Sequence, residues 1–223
     1  MSVRYTDNMC GIAGSTNKEK AFSLYQSNLD RGYYSSGSLM IDGLNFCESK
    51  KVQGQFKTIP VPGSSSNTNN LYYLYHSRGP TTETLTFEEK DNHPFLYRDW
   101  VVAHNGIISN FEELKSKHFA NEIFETDTDS SIIPRMLFKF GLKEGLSQLK
   151  GTFAIWSYNT ITREICIARS SCTLYGDIQT GDFSSTQFAN SILLKEGVVY
   201  KIANYNKIIE ETRFVSDSPY FIL

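Results

Sequence analysis

The sequence lacks long apolar runs, an excess of basic charge and a secretory leader, and each absence excludes a class of protein. No apolar segment approaches the roughly 18 residues that a membrane-spanning helix needs. The nine residues before Cys10 carry one arginine and no apolar core, so they are not a signal peptide. The formal charge of -2 gives no reason to expect direct binding to nucleic acid. We therefore expect a cytoplasmic protein, which would act in the host cytoplasm if the chain is viral.

Cysteine is also scarce, and its spacing indicates no metal or redox motif. The four cysteines are Cys10, Cys47, Cys166 and Cys172, and they contain no C-x-x-C pair. Cys166 lies in an apolar run and is interpreted as a small buried hydrophobic residue. A metal hydrolase built on His76, His93 and His104 is a weak alternative, because no carboxylate or cysteine completes a familiar ligand set. We expect no metal and no other cofactor.

The apolar periodicity over 223 residues predicts one α+β domain. Helices are predicted over residues 18–30, 111–118 and 128–140, and Pro134 must kink the third helix or restrict it to a later start. Strands are predicted over residues 10–14, 38–42, 44–48, 71–76, 99–104, 152–158, 163–169, 182–188, 198–203 and 207–214. Residues 60–70 are rich in Pro, Gly, Ser and Asn, which predicts a mobile surface loop. This order favours two antiparallel sheets with helices on their outer faces.

Cys10 is the candidate nucleophile. A thiol attacks as the thiolate, and a free cysteine has a pKa of about 8.5, so it needs a base. If Cys10 were the first residue of the mature chain, its own α-amine, with a pKa of about 7.7–8.0, could accept the thiol proton. An amide nitrogen cannot do this, so we expect residues 1–9 to be a leader or propeptide that the mature protein lacks. Taken alone, Met-Cys-Gly is also compatible with a buried structural cysteine.

Three further motifs combine polar groups with the ends of predicted elements. Arg78 ends an apolar strand, where it is either solvated or a planar fork that binds a substrate carboxylate. Asn105-Gly106 is either a tight turn or an oxyanion hole made of a side-chain amide and a backbone N–H. Residues 125–129, Glu-Thr-Asp-Thr-Asp, contain at least one Asp that can cap the N-terminus of a helix. The other Asp carboxylate can neutralise the α-ammonium of an amino-acid substrate.

These motifs occur in a fixed order along the chain. The order is Cys-Gly-Ile-Ala-Gly, Arg-Gly-Tyr, His-Ser-Arg, Asn-His-Pro, His-Asn-Gly-Ile-Ile-x-Asn and Glu-Thr-Asp-Thr-Asp. Together they resemble the glutaminase domain of class II, N-terminal-nucleophile glutamine amidotransferases, and look most similar to that of glucosamine-6-phosphate synthase. The resemblance extends from Cys10 to about Asn206. It implies a four-layer αββα sandwich, which agrees with the predicted strands and helices, and a glutaminase domain over residues 10–223.

The resemblance also implies roles for individual residues. It implies that Cys10 is the nucleophile and that Asn105 and Gly106 form the oxyanion hole. It also implies that Arg78 binds the carboxylate of the substrate glutamine. Asp127 would bind the ammonium group. The remaining matched positions of the substrate site are Thr81, Arg31, His93 and His104, of which the two histidines are expected to support the site and not to transfer protons.

The sequence departs from the family pattern at Gly79, where the family has Trp, and at Thr82, where close relatives often have His. The residues ahead of Cys10 are the third departure, because they would block the base if retained. The family usually fuses this domain to an acceptor-binding synthase domain, so we expect an acceptor or synthase protein in trans that receives the ammonia. The alternative is a catalytically silent subunit that binds glutamine and has a blocked Cys10.

Overall fold

The computed structural model describes residues 10–42, 47–60, 71–79 and 86–215. Three predicted features fall wholly or partly outside these residues, so they stay predictions. They are the leader at 1–9, the loop at 60–70 and the turn at 42–43. Within the described part of the chain, no helix is both long and apolar enough to cross a membrane.

The described residues form thirteen strands and three α-helices. The strands are β1 Gly11–Ser15, β2 Ser35–Asp42, β3 Cys47–Gln53, β4 Leu71–Arg78, β5 Phe95–Tyr97, β6 Trp100–Ile108, β7 Gly151–Asn159, β8 Glu164–Ser170, β9 Tyr175–Gly176, β10 Phe183–Ser184, β11 Ile192–Leu193, β12 Val198–Ala203 and β13 Lys207–Arg213. The helices are α1 Lys18–Ser27, α2 Phe111–Phe119 and α3 Ile132–Ser147. Short 3-10 helices lie at Glu89–Asp91 and Asp129–Ser131.

The strands assemble into two antiparallel sheets. One has the order β11-β9-β10-β1-β4-β2-β3 and the other β13-β12-β8-β7-β6-β5. The side chains between the sheets form one apolar core, which includes Ile12, Leu74 and Trp156. The indole N–H of Trp156 donates to the carbonyl of Tyr75 over 3.0 Å, so this buried polar group is satisfied across the two sheets. The predicted sandwich is confirmed.

The helices cover the outer faces of the sheets. Helix α1 packs Ala21 and Tyr25 against the seven-stranded sheet. Its N-cap is Asn17, whose side chain accepts a hydrogen bond from the backbone of Lys20 over 2.8 Å. Helices α2 and α3 pack on the six-stranded sheet through a second apolar cluster. Because α3 begins at Ile132, Pro134 lies in the first turn, where a missing N–H costs little, and the predicted later start is confirmed.

Three differences from the predicted elements concern strands. Strands β5, β9 and β11 were not predicted, since runs of two or three residues show no periodicity. The predicted strand at 182–188 shortens to Phe183–Ser184. Strand β6 continues to Ile108, and inside it Gly106 pairs with Phe153. The interpretation of Asn105-Gly106 as a tight turn is therefore wrong.

Candidate active site

Cys10 directly precedes β1, a central strand of the seven-stranded sheet. The residue is partly buried. Desolvation raises the pKa of its thiol to about 11, although a hydrogen bond from the Gly79 backbone and the positive charges of Arg78 and Arg31 act in the opposite direction. The carboxylate of Asp129 raises the pKa further. At neutral pH the thiol is therefore protonated, and it needs a base to become a nucleophile.

Arg31 fixes the backbone of Cys10. Its Nε donates to the carbonyl of Cys10 over 3.0 Å. The turn that carries Arg31 is tied to the end of β4, because the backbone N–H of Tyr34 donates to the carbonyl of Arg78 over 2.9 Å. The approach is so close that a Cβ on Gly32 would lie 2.1 Å from the backbone nitrogen of Gly79. The contacts of Arg31 thus favour a supporting role over direct contact with a substrate.

Arg78, at the end of β4, lines an open cavity of about 530 Å³. Its Nη1 donates to the Asp91 carbonyl over 2.7 Å and to Asn92 Oδ1 over 2.8 Å. The guanidinium carbon lies 5.6 Å from the ring centroid of Tyr34. These contacts hold the guanidinium in one orientation at the cavity wall, and the two hydrogen bonds use only Nη1 of its three nitrogens.

The same cavity also has an acidic lining. The described residues that line the cavity are Tyr34, Arg78, Thr86, Lys90, Asp91, Glu125, Thr126, Asp127, Thr128 and Asp129. The side chain of Asp127 is 89% exposed and forms an ion pair of 3.2 Å with Lys115. A cavity of this size that is lined by both a guanidinium and carboxylates suits a zwitterionic amino acid. The structure therefore brings Arg78 and Asp127 together as the sequence predicts.

Asn105 and Gly106 lie inside β6, facing the start of β1. The amide nitrogen of Asn105 points to Ser185 Oγ over 3.4 Å, and the same oxygen accepts from the backbone of Ile12 over 3.0 Å. Asn105 is fully buried, and its Oδ1 has no hydrogen-bond partner within the described residues. Ser185 thus links the candidate oxyanion residue to the strand that begins one residue after Cys10.

Gly106 is required by the backbone. Its φ is +136°, a backbone conformation that residues other than glycine rarely adopt. A Cβ at this position would lie 1.9 Å from the carbonyl oxygen of Thr152. The sheet therefore fixes the orientation of this peptide, which an oxyanion hole needs.

Sequence reasoning missed Ser185. The residue is buried, and besides accepting from Ile12 its backbone N–H donates to the Ile12 carbonyl over 2.9 Å. A serine that follows another serine in a predicted strand carries no recognisable spacing. Only the three-dimensional pairing of β1 with β10 reveals its place.

His93 and His104 are buried, and neither lines the cavity among the described residues. His104 Nδ1 lies 2.8 Å from Ser130 Oγ, and its backbone carbonyl accepts from His76 Nε2 over 3.1 Å. The rings of His76 and His93 are 3.9 Å apart between centroids. Burial lowers the pKa of all three imidazoles, so they are neutral. Their contacts favour a supporting role behind the cavity.

The two remaining predictions for site residues have different outcomes. Thr81, like Thr82, lies outside the described residues, so its predicted role stays a prediction. The capping interpretation of the Asp pair is wrong, because the residues that flank the 3-10 helix and α3 make no side-chain cap bond. Asp129 instead accepts from the backbone of Ile108 over 2.6 Å and from that of Ser130 over 2.8 Å. It ties β6 to the segment that leads into α3.

Comparison with known proteins agrees with this geometry. Residues 69–198, more than half of the chain, match the family described as glutamine amidotransferase domain. The glutamine–fructose-6-phosphate aminotransferase (isomerizing) of Halobacterium salinarum is 29% identical over 190 residues, covering 78% of this chain and 31% of the relative. The enzyme of the same name from Lactiplantibacillus plantarum is 31% identical over 153 residues, covering 63% and 24%. The chain thus spans a third or less of the length of these relatives.

Solved structures share the fold. The glutamine phosphoribosylpyrophosphate amidotransferase of B. subtilis, solved with ADP and GMP, superimposes with a TM-score of 0.69 at 20% identity, over 92% of this chain and 49% of the other. A structure titled as the allosteric regulatory enzyme of purine biosynthesis gives a TM-score of 0.67 at 19% identity, over 94% and 50%. The family match, the relatives and the sandwich agree, and the chain belongs to the class II glutamine amidotransferase family.

Proposed function

We propose that this domain hydrolyses the side-chain amide of glutamine through a thioester on Cys10, giving glutamate and ammonia. The observation that carries the proposal is the position of Cys10. The residue directly precedes a central strand, is hydrogen-bonded by the Gly79 backbone, and is within the electrostatic influence of Arg78, which lines the open cavity. Cys10 itself is not among the described residues that line the cavity, so Arg78 is the link between the nucleophile and a cavity that suits an amino acid.

The proposed steps balance in protons and charge. The Cys10 thiol gives its proton to an amine, and Sγ attacks the side-chain carbonyl carbon of glutamine. The Asn105 amide and the Gly106 N–H stabilise the tetrahedral oxyanion. The amine returns the proton to the departing nitrogen, ammonia leaves, and water then hydrolyses the thioester to release glutamate.

The amine that we propose is the α-amine of Cys10 itself. A thiol with a pKa of about 11 is almost entirely protonated at neutral pH, whereas an α-amine with a pKa near 7.7–8.0 can accept a proton there. Residues 1–9 convert this nitrogen into an amide, so their removal is part of the proposal. The mature domain would then span residues 10–223.

Substrate binding is assigned to charged residues that line the cavity. Arg78 would bind the α-carboxylate of glutamine, because its guanidinium is already held at the wall by Asp91 and Asn92. Asp127 would bind the ammonium group in exchange for Lys115, since an exposed ion pair of this kind contributes little. We assign Thr81 to the same pocket on the family resemblance alone.

The ammonia requires an acceptor. The relatives are named as aminotransferases that act on fructose 6-phosphate, and the chain corresponds to a third or less of their length. We propose that an acceptor or synthase, either a separate protein or another subunit, receives the ammonia from this domain. Purification from native cells followed by a glutamine-dependent amination assay tests this step, and full activity of the isolated domain with no bound protein would count against it.

Two measurements test the chemistry. Cys10→Ala removes the nucleophile, so glutamate release should fall to background while the thermal midpoint stays unchanged. Cys166→Ala, at a buried cysteine outside the cavity, should keep hydrolysis. Intact-mass analysis of the native protein should find Cys10 at the N-terminus.

The same measurements separate the enzyme from a silent glutamine-binding subunit. Hydrolysis by protein that retains all nine leading residues would refute the α-amine as base. Binding of glutamine without hydrolysis, by protein that begins at Cys10, would refute the proposed activity and favour the silent subunit.

A further inference from the structure

A second cavity, of about 550 Å³, lies beside the first one and shares Lys90, Glu125 and Thr126 with it. It is bounded by the hairpin of β5 and β6 and by the beginning of α3. Neither the predicted motifs nor the proposed glutamine hydrolysis uses this cavity. Its volume is within the range of small-molecule sites.

The lining of this second cavity is basic, although the chain as a whole has a net charge of -2. Four cations, Lys51, Lys90, Arg98 and Arg135, face one carboxylate, Glu125. Lys90 and Arg135 have acidic partners, Glu88 at 2.8 Å and Glu122 at 3.7 Å.

Lys51 and Arg98 supply the other two positive charges of the lining. The ammonium of Lys51 donates to the backbone carbonyl of Glu89, and the guanidinium of Arg98 lies 5.9 Å from the Tyr97 ring centroid. Within the described part of the chain, neither forms an ion pair with a carboxylate. Desolvation lowers the pKa of Lys51, and the carboxylates of Glu89, Glu125 and Asp91 act in the opposite direction. An anion bound beside Lys51 would also raise its pKa.

Two polar atoms of the lining residues are buried without a hydrogen bond within the described residues. One is Ser131 Oγ, in a residue that is only 2% exposed, and the other is Arg135 Nε, whose ion-pair contact with Glu122 at 3.7 Å is too long for a hydrogen bond. The two residues are four apart at the start of α3, so they lie on one face. Arg135 Nη1 already donates to the Ser131 carbonyl over 3.1 Å, which fixes the guanidinium. Unsatisfied buried donors of this kind are rare and call for a ligand.

Three further lining residues are apolar: Phe95, Leu96 and Ile123. Phe95 is buried, whereas Leu96 is 65% and Ile123 is 89% exposed. A ligand that places an anionic group on the cations can therefore place a carbon skeleton against these side chains.

We propose that this second cavity binds a small organic phosphate. A phosphate offers several strong acceptor oxygens and up to two negative charges, which fit a guanidinium, an ammonium and a serine hydroxyl around one point. The phosphate would lie between Arg135, Ser131 and Lys51, with the organic part toward Leu96 and Ile123. The proposal does not depend on glutamine hydrolysis, because the readout is binding.

Isothermal titration calorimetry on the full chain tests the proposal. The probes are fructose 6-phosphate, ribose 5-phosphate and adenosine monophosphate, with fructose and inorganic phosphate as references. At least one organic phosphate should bind at a single saturable site, and more tightly than both references. The double variant Lys51→Gln/Arg98→Gln should weaken this binding by about tenfold or more, the usual effect of losing charged hydrogen bonds. Ser131→Ala should weaken it by about threefold.

The control is Lys117→Gln/Lys143→Gln, which removes the same charge outside the cavity and should change the dissociation constant by less than about twofold. Thermal denaturation of all variants checks their folding. Equal loss in the two double variants would overturn the site, since it would reveal unspecific attraction. Absence of saturable binding for every organic phosphate, or binding of inorganic phosphate alone, would overturn the ligand class.

Discussion

At the scale of single residues, Arg78 and Asp127 differ in what else depends on them. Arg78 also holds Asp91 and Asn92, so its replacement would disturb the cavity wall. Asp127 has an 89% exposed side chain and one ion pair, with Lys115. The acidic side of the substrate site can therefore be tested without damage to the fold.

We expect Asp127→Asn to raise KM for glutamine about tenfold, because a charged contact to the ammonium is lost. The thermal midpoint should not change, since exposed ion pairs contribute little. Steady-state kinetics of glutamate release give KM and kcat. Lys115→Gln is the matched control, because it breaks the same ion pair and leaves the carboxylate. Equal increases in KM for both variants would contradict the assignment of Asp127.

Asn105 and Ser185 make a second prediction at this scale. Asn105→Ala should lower kcat by about 10²–10³, the usual cost of one oxyanion donor. Ser185→Ala should lower kcat by about tenfold with KM nearly unchanged, because it removes the hydroxyl directly after β10 to which the Asn105 amide donates and leaves that donor unfixed. The measurement is again steady-state glutaminase kinetics.

Ser184→Ala is the control for this pair. Ser184 is the neighbouring buried serine, and its hydroxyl accepts from Asn28 and not from Asn105. An equal loss of kcat in the Ser184 and Ser185 variants would mean that both act through the stability of β10, and it would refute a positioning role for Ser185.

Residues were predictable from sequence where the family pattern or an element's end marked them. Arg78 was found because it ends an apolar strand, and the structure places it at the cavity with Asp127. Ser185 was missed because its contacts reach 173 positions back along the chain, to Ile12. No local pattern records a pairing over that distance.

At the scale of elements, two reasons for glycine at position 106 of β6 can be tested separately. One is the positive φ, and the other is the close contact that a side chain would make. Gly106→Ala would introduce both a side chain at φ +136° and a contact of 1.9 Å with the Thr152 carbonyl. Gly141→Ala in α3 would introduce a side chain at φ +76°, but no atom lies within 4 Å of the added Cβ. The two glycines therefore form a matched pair.

We expect Gly141→Ala to lower the free energy of unfolding by about 1–3 kcal/mol, because its φ of 76° and ψ of 176° lie in a region that is essentially restricted to glycine. Gly106→Ala should cost about 2 kcal/mol more and abolish glutaminase activity, because the clash with Thr152 must push β6 away from β7. Chemical denaturation and glutamate release measure both effects. Equal destabilisation by the two substitutions would show that β6 relaxes without consequence.

Element prediction succeeded where the strands are long and failed where tertiary pairing decides. The apolar alternation located β7 and β8 to within a residue or two. The pair Asn105-Gly106 favours a turn locally, but β6 runs through it because nine consecutive residues pair with β7. The gain from the complete ladder exceeds the local turn preference.

At the scale of the whole molecule, the order of strands could not be worked out from periodicity. Strand β1 lies between β4 and β10, two strands that are far from it in sequence. Alternation indicates which side of a strand is apolar, but it does not indicate which strand is its neighbour. The expected four-layer sandwich came from the family resemblance, and the helix and strand count only agreed with it.

The same two sheets are joined by buried histidines, which makes stability depend on pH. His76 on β4 donates to the carbonyl of His104 on β6 over 3.1 Å and stacks on His93. Burial lowers the pKa of His76 from 6.5 to about 3, and it lowers those of His93 and His104 as well. Between these pH values the unfolded chain binds protons that the folded chain does not. The free energy of unfolding must therefore fall as the pH falls below about 6.5.

We expect His76→Gln to reduce this dependence, because glutamine keeps an N–H for the His104 carbonyl but does not titrate. Between pH 6.5 and 5, the slope of the unfolding free energy should decrease by up to about 1.4 kcal/mol per pH unit, the contribution of one proton. Urea denaturation at several pH values measures the slope. His118→Gln is the control: desolvation lowers the pKa of His118 too, but this residue is partly exposed on α2, so its replacement should change the slope less than that of His76. If the His76 variant kept the full slope, His76 would have to remain protonated in the folded protein, and the neutral link between the two sheets would be wrong.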